Sequence, residues 1–283
     1  MATFASYLSF IRFSHSVFAL PFALTGALLA WRLHPFSWAQ VAWIVACMVS
    51  ARSAAMGFNR LVDARFDALN PRTAMREIPR GILTRTSAAA FVGAASVAFV
   101  FSSAQLSGIC FALSPLALLI VFWYSLAKRV TTYTQMFLGL AMAVAPVGGW
   151  LAAGGRGGAE PWLLGLAIGL WVGGFDILYA CQDVDFDRAH GLRSIPARFG
   201  VATAIRLSRV MHALTVAVMA ALWRAAGLPV LYLGGVAVVA VLLAYEQSLV
   251  SDEDLSQVKK AFDLNGYVGI VYFLATALAL YVE

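Results

Sequence analysis

Charge is what this sequence has least of. Asp, Glu, Lys and Arg make up 12% of its 283 residues, about half of the roughly 25% typical of soluble globular domains, which excludes a water-facing surface over most of the chain. Cysteine is scarce too. Cys47, Cys110 and Cys181 are odd in number, lie in or beside apolar stretches and lack metal-type spacing, so a disulfide framework is excluded. Basic residues outnumber acidic ones for a formal net charge of +6, but they are scattered among short loops and form no module. That pattern signals membrane orientation and no nucleic-acid partner.

What the chain has in abundance is apolar sequence, at 61% of residues against about 45–50% in soluble domains. A span needs about 20 predominantly apolar residues, and nine such runs emerge: 13–31, 39–60, 87–106, 108–127, 134–152, 161–182, 202–225, 228–249 and 262–282. The runs are long and do not alternate, which favours helices over barrel strands. The expectation is an all-α, polytopic membrane bundle of nine transmembrane helices forming one domain over residues 1–283. Arg12 followed by the apolar stretch 16–31 has the look of a secretory signal, but no small-residue cleavage site follows and many spans do, so it reads as the first helix.

Most connections are short, whereas 61–86 and 183–201 are long, charged loops, where function is expected. Nine spans put every even-to-odd loop on the side of the N-terminus. That side carries sixteen basic residues and the other only Arg32, Arg156 and Arg224, with Arg52 inside a span. The positive-inside rule therefore places the N-terminus and both long loops in the cytoplasm, with the protein in the inner (cytoplasmic) membrane among its lipids.

The two loops resemble each other, NRLVDARFD…REIPRG against QDVDFD…RSIPARFG, a weak repeat 120 residues apart. Asn59, Asp63 and Asp67 stand four apart and share a helix face. Asp183, Asp185 and Asp187 crowd a second span end, and a divalent cation relieves such repulsion. Mg²⁺ suits these oxygens because it takes one or two carboxylates plus phosphate oxygens from a substrate. Arg72, Arg76, Lys128 and Arg129 are candidate phosphate binders, whereas Arg80, Arg85, Lys259 and Lys260 need only the topological explanation. Inside the spans, Arg12, Arg52, Asp176, His212 and Glu246 require a cavity or a partner. Asp176 lies two turns before Asp183, with Tyr179 between, so it can floor a pocket beneath the metals; Phe58, Phe122 and Trp123 are further aromatic candidates for its walls.

The strings NRLVDARFDALNPRTAMREIPRG and YACQDVDFDRAHGLRSIPARFG resemble the two signatures of the UbiA-type intramembrane prenyltransferases. YSLAKR at Tyr124–Arg129 is similar to the family's short basic motif, and IRFSHSVFALPFA to its first helix. The resemblance implies Mg²⁺-dependent transfer of a polyprenyl group from a polyprenyl diphosphate to the ring carbon of an aromatic acceptor, 4-hydroxybenzoate or a dihydroxynaphthoate, in ubiquinone or menaquinone synthesis. It further implies that Asp63, Asp67, Asp183 and Asp187 bind metal; Asp176, two turns deeper in the span, is expected nearer the acceptor. Asn59, Arg72, Arg76, Lys128, Tyr124 and Tyr179 would then contact substrate, and Arg12 would bind an acceptor carboxylate. Asp185 departs from the family pattern, where Glu is common. Competing readings are a haem-, chlorophyll- or lipid-modifying prenyltransferase and, further off, a secondary transporter, whose acids would gather at the midplane on broken helices.

Overall fold

The structure, a computed structural model, describes residues 3–11 and 19–281. Among them are α-helices and no strand: α1 (Phe4–Phe10), α2 (Leu20–Trp31), α3 (Trp38–Leu69), α4 (Arg85–Leu106), α5 (Gly108–Ala127), α6 (Thr134–Ala152), α7 (Glu160–Ala180), α8 (Val184–Ala189), α9 (Ile195–Phe199), α10 (Val201–Ala225), α11 (Leu231–Ser248) and α12 (Val258–Tyr281). The all-helical membrane class stands. The count of nine is met only in part: among the described residues, eight helices are long and apolar enough to cross a bilayer, with α7 to α8 counted as one. The expected first span, 13–31, lies partly outside the described residues, and its described part is the twelve-residue α2.

The expected loop at 61–86 is also shorter than it reads. Helix α3 runs for 32 residues, about 48 Å at 1.5 Å per residue, against a hydrocarbon core of about 30 Å. Asp63 and Asp67 stand in the last two turns of this unbroken helix, beyond the length that one crossing needs. Charge breaks the apolar run but not the helix, because NRLVDARFDAL is rich in good helix formers. It stops where Pro71 forces the preceding residue out of the helical region, and Asn70 takes φ −90° and ψ 118°. The second expected loop, 183–201, is likewise mostly folded: a 3₁₀ turn at Cys181–Asp183, then α8 and α9.

Close backbone contact sets the packing of α2, α6 and α7. A Cβ on Gly149 would sit 1.9 Å from the Ala23 carbonyl oxygen, and one on Gly139 would sit 2.3 Å from that of Gly169. Association through small residues is the membrane solution, since lipid offers no hydrophobic drive between helices. Around this seam Phe22, Leu164, Ile168, Trp171, Tyr232 and Tyr272 form the main core.

Polar side chains in the core bond one another, with Glu246 Oε2 and Gln247 Oε1 the atoms of this network left without a hydrogen bond among the described residues. Trp171 Nε1 donates to Asn265 Oδ1 at 2.7 Å, and Asn265 Nδ2 donates to Glu246 Oε1 at 3.0 Å. Gln247 Nε2 donates to His212 Nδ1 at 2.9 Å and to Ser208 Oγ at 2.8 Å, so the His212 proton sits on Nε2, 3.2 Å from the Trp171 carbonyl oxygen. His212 and Glu246 thus find intramembrane partners by stitching α7, α10, α11 and α12 together.

Candidate active site

The two aspartate groups meet on one side of the bundle, where ion pairs between carboxylates and cations predominate. Asp63 is buried, 2% exposed, with Lys128 Nζ 2.8 Å from Oδ2 and Arg129 Nη2 2.9 Å from Oδ1. Asn59, one turn earlier on α3, donates to Asp63 Oδ2 at 3.4 Å and to Ser125 Oγ at 3.3 Å, tying α3 to α5. Asp67, also buried, receives Arg76 Nη1 on both oxygens at 2.8 Å.

Arg72 spans the two groups. Its guanidinium grips both oxygens of Asp183, through Nε at 3.1 Å and through Nη2, while Nη1 donates to Tyr179 Oη at 2.8 Å. Its backbone N–H donates to Asn70 Oδ1 at 2.9 Å, and Asn70 Nδ2 donates to Asp183 Oδ1 at 3.2 Å. Burial acts to lower the Arg72 pKa, but the hydrogen bond and charge of Asp183, with Tyr179 beside it, outweigh burial and hold it above the usual arginine value.

Asp187 accepts from Ser194 Oγ at 2.8 Å and lies within electrostatic range of Asp183, Lys128 and Arg72. Asp176, deeper on α7, interacts with Asp183 and Lys128; Tyr124 interacts with Arg52, Asp63 and Asp176. Asp185 is exposed on α8 and faces no ion-pair partner among the described residues.

The segment carrying Arg72 and Arg76 is itself anchored. Buried Arg60 donates through Nη1 to Glu77 Oε2 at 2.7 Å, and Ser9 Oγ donates to Glu77 Oε1 at 2.5 Å. Phe10, Ile11, Leu83 and Ala88 pack together beside this pair. A helix of seven residues at the N-terminus, α1, thereby clamps the turn-rich segment between α3 and α4.

Inward of the charged mouth, an apolar cavity of about 670 Å³ opens between α3, α4, α5, α6 and α7. Tyr124 and Arg52 line it, and so do the lipid-facing side chains of Leu116, Leu140, Trp162 and Leu166, so the cavity reaches the outer surface of the bundle. Phe58 and Phe122 form a tilted pair across α3 and α5, with ring centroids 4.5 Å apart.

Most of the residues singled out from sequence therefore come together. Asn59, Asp63, Asp67, Arg72, Arg76, Lys128, Tyr179 and Asp183 share one hydrogen-bonded or ion-paired mouth, with Asp187, Asp176 and Tyr124 next to it. Arg12 lies outside the described residues. Trp123 points away, 40% exposed and against Phe137. Among the described residues no three His, Cys, Asp or Glu side chains gather closely enough to cage an ion. Sequence reasoning missed the bridging role of Asn70 and the anchor at Glu77, whereas Arg52, expected to need a cavity or a partner, stands on the cavity wall. Of the two missed, only Asn70 carried a signal, as the residue before a proline that closes a helix.

A mouth of paired carboxylates and cations over an apolar cavity suits a molecule with an anionic head and a long apolar tail. Comparison with known proteins agrees. Residues 19–277 match the model of the UbiA prenyltransferase family. A 4-hydroxybenzoate octaprenyltransferase from Citrobacter koseri is 31% identical over 242 residues, covering 84% of this chain and 83% of that protein. A UbiA homologue from Aeropyrum pernix K1, solved in its apo form, superposes with a TM-score of 0.86 at 36% identity over 94% of this chain and 98% of that one. A UbiA homologue from Archaeoglobus fulgidus bound to GPP and Mg²⁺ shares the fold, with a TM-score of 0.72 at 19% identity over 96% of this chain and 99% of that one. This chain belongs to the UbiA prenyltransferase family and is a multi-pass membrane prenyltransferase.

Proposed function

We propose that the enzyme moves a polyprenyl group from a polyprenyl diphosphate to a ring carbon of an aromatic carboxylic acid, 4-hydroxybenzoate or a dihydroxynaphthoate, for quinone synthesis. The observation that carries this reading is the junction of a charged mouth with an apolar cavity that reaches the lipid-facing surface. The name of the Citrobacter koseri relative supports the acceptor, and the GPP and Mg²⁺ bound to the Archaeoglobus fulgidus homologue support the donor and the ion.

The donor set fits Mg²⁺. All its atoms are hard oxygens, and each aspartate group offers the one or two carboxylates that Mg²⁺ uses when phosphate oxygens complete its shell, so a three-carboxylate cage is not required. Asp63, Asp67, Asp183 and Asp187 would hold it, and when bound it would neutralise charge on the departing diphosphate. Arg72, Arg76 and Lys128, with Arg129 beside them, exchange their carboxylate partners for phosphate oxygens. Asn59 holds Asp63 in register with Ser125.

In the reaction the allylic carbon–oxygen bond breaks and its electron pair leaves on the diphosphate oxygen. A ring carbon then supplies the pair for the new carbon–carbon bond, and the ring loses a proton. Asp176 accepts the hydrogen bond of the acceptor hydroxyl, and Tyr124 and Tyr179 line the path of the reacting carbon with their π faces. Arg52 stands on the cavity wall, where an acceptor carboxylate would need a countercharge; Arg12 is the partner that the family resemblance suggests. The whole chain acts as one domain in the inner membrane, with the N-terminus and the aspartate mouth in the cytoplasm. The sixteen-to-three division of basic residues supports that orientation.

Membranes carrying Asp63→Asn or Asp183→Asn, given one prenyl diphosphate and a panel of 4-hydroxybenzoate, dihydroxynaphthoates and haem, test the reading. Wild type should yield a prenylated aromatic acid and diphosphate only with Mg²⁺, and each variant should lose at least about 100-fold in turnover. Full turnover in both variants would overturn the assignment of the mouth, and a prenylated haem would overturn the acceptor.

A further inference from the structure

Beyond the aspartate mouth, a second concavity of about 460 Å³ opens on the same side of the bundle, lined by Thr132, Arg188, Arg193, Ser194, Ala197 and Arg198 among others. Its three arginines differ in one respect from those of the mouth. There Arg72, Arg76, Lys128 and Arg129 each hold an aspartate, whereas none of Arg188, Arg193 and Arg198 is ion-paired among the described residues. Three like charges around one hollow repel, and an anion in the hollow relieves that repulsion.

Two of the forks are already held in place. Arg188 Nε donates to the Ala197 carbonyl oxygen at 3.0 Å, and Arg193 Nη1 donates to that of Val130. Each guanidinium keeps further donors, and holding it in place reduces the entropy lost on gripping a phosphate. Apolar side chains flank in sequence the residues that line the hollow. Val130, Tyr133 and Phe199 are about half exposed, and the Tyr133 and Phe199 rings lie 6.4 Å apart. Exposed aromatic rings at the ends of spans belong at headgroup depth, where one edge is wet and the other meets acyl chains.

We propose that Arg188, Arg193 and Arg198 bind the phosphate of an anionic phospholipid headgroup. The site sits one residue from the catalytic mouth: the Arg193 backbone N–H donates to the Lys128 carbonyl oxygen at 2.8 Å, and Ser194 Oγ donates to Asp187. A bound headgroup therefore steadies the segment that positions Lys128 and Asp187, and the bilayer's anionic lipid becomes part of the enzyme's working structure.

The test reads lipid and not turnover, so it stands apart from the proposed reaction. Detergent-purified protein is titrated with phosphatidylglycerol or phosphatidylcholine, and retained lipid is measured by native mass spectrometry alongside the thermal midpoint. Phosphatidylglycerol should be retained preferentially. Arg188→Gln with Arg198→Gln should weaken that retention about fivefold per charge removed. Lys259→Gln with Lys260→Gln, on the same side of the bundle, should leave it unchanged. Arg198→Gln alone, which removes no side-chain bond to the backbone, serves if the double variant does not fold. Equal retention in wild type and Arg198→Gln, or an equal loss in the lysine pair, would overturn the site. Inorganic phosphate or diphosphate protecting as well as phosphatidylglycerol, through the same arginines, would overturn the headgroup in favour of a free phosphate.

Discussion

Arg72 joins three residues of the mouth, for its side chain closes on Asp183 and Tyr179 and its backbone N–H on Asn70. Its planar fork meets two carboxylate oxygens at once, which a lysine ammonium cannot reproduce. Replacing it should therefore act mainly where diphosphate is gripped. A charge-assisted bond contributes about 1.5–3 kcal/mol, so Arg72→Gln should raise KM for the prenyl diphosphate roughly 10–100-fold, and Arg72→Lys should recover only a small part. Initial rates at varied donor and saturating acceptor measure this. An unchanged KM with a lowered kcat would instead make Arg72 a structural tie between α7 and the segment after α3.

Among the elements, the seam of α6 and α7 leaves no room for a side chain at Gly139. A methyl on Gly139 meets a backbone oxygen, which no rotamer change can relieve, and overpacking of this kind costs about 1–3 kcal/mol. Gly139→Ala should lower the thermal midpoint in detergent, whereas Gly93→Ala, on an open face of α4 with nothing nearby, should leave it level or slightly raised. Equal midpoints would show that the seam relaxes. This seam could not be read from sequence, because Gly139 and Gly169 look like any glycines until α6 and α7 are placed side by side. What hydropathy could show were the long apolar elements. Where it erred, at 61–69, 184–189 and 195–199, the chain carries charge yet is helical, since charge governs depth in the membrane whereas local propensity governs the helix. The spacing of Asn59, Asp63 and Asp67 was legible for the same reason: an i+4 pattern survives wherever the helix does. Partners across elements, such as Asp63 with Lys128 or Ser9 with Glu77, depend on how helices cross, and no one-dimensional period encodes that.

At the scale of the whole molecule, one ridge of α3 joins the two halves of the site. Ala51 and Ala55 line the cavity, and the next i+4 steps are Asn59, Asp63 and Asp67 at the mouth. The head of a prenyl diphosphate would lie at the aspartates and its tail would run down the cavity away from them. Gly148 lines that cavity fourteen residues after the start of α6, about 21 Å along the helix from the end that follows Lys128. A Cβ there would meet nothing within 4 Å and would open onto the cavity, so Gly148→Phe should fill cavity space without disturbing the fold. A short donor such as geranyl diphosphate ends before that point and should keep nearly full kcat/KM. A long polyprenyl donor must pass it and should lose at least about tenfold, since excluded tail forfeits about 0.8 kcal/mol per buried methylene. The ratio of kcat/KM for long over short donor, measured in the same detergent for wild type and variant, separates this from a general loss of activity. An unchanged ratio would mean that the tail leaves the cavity for the bilayer above Gly148, through the opening beside Leu116 and Leu140.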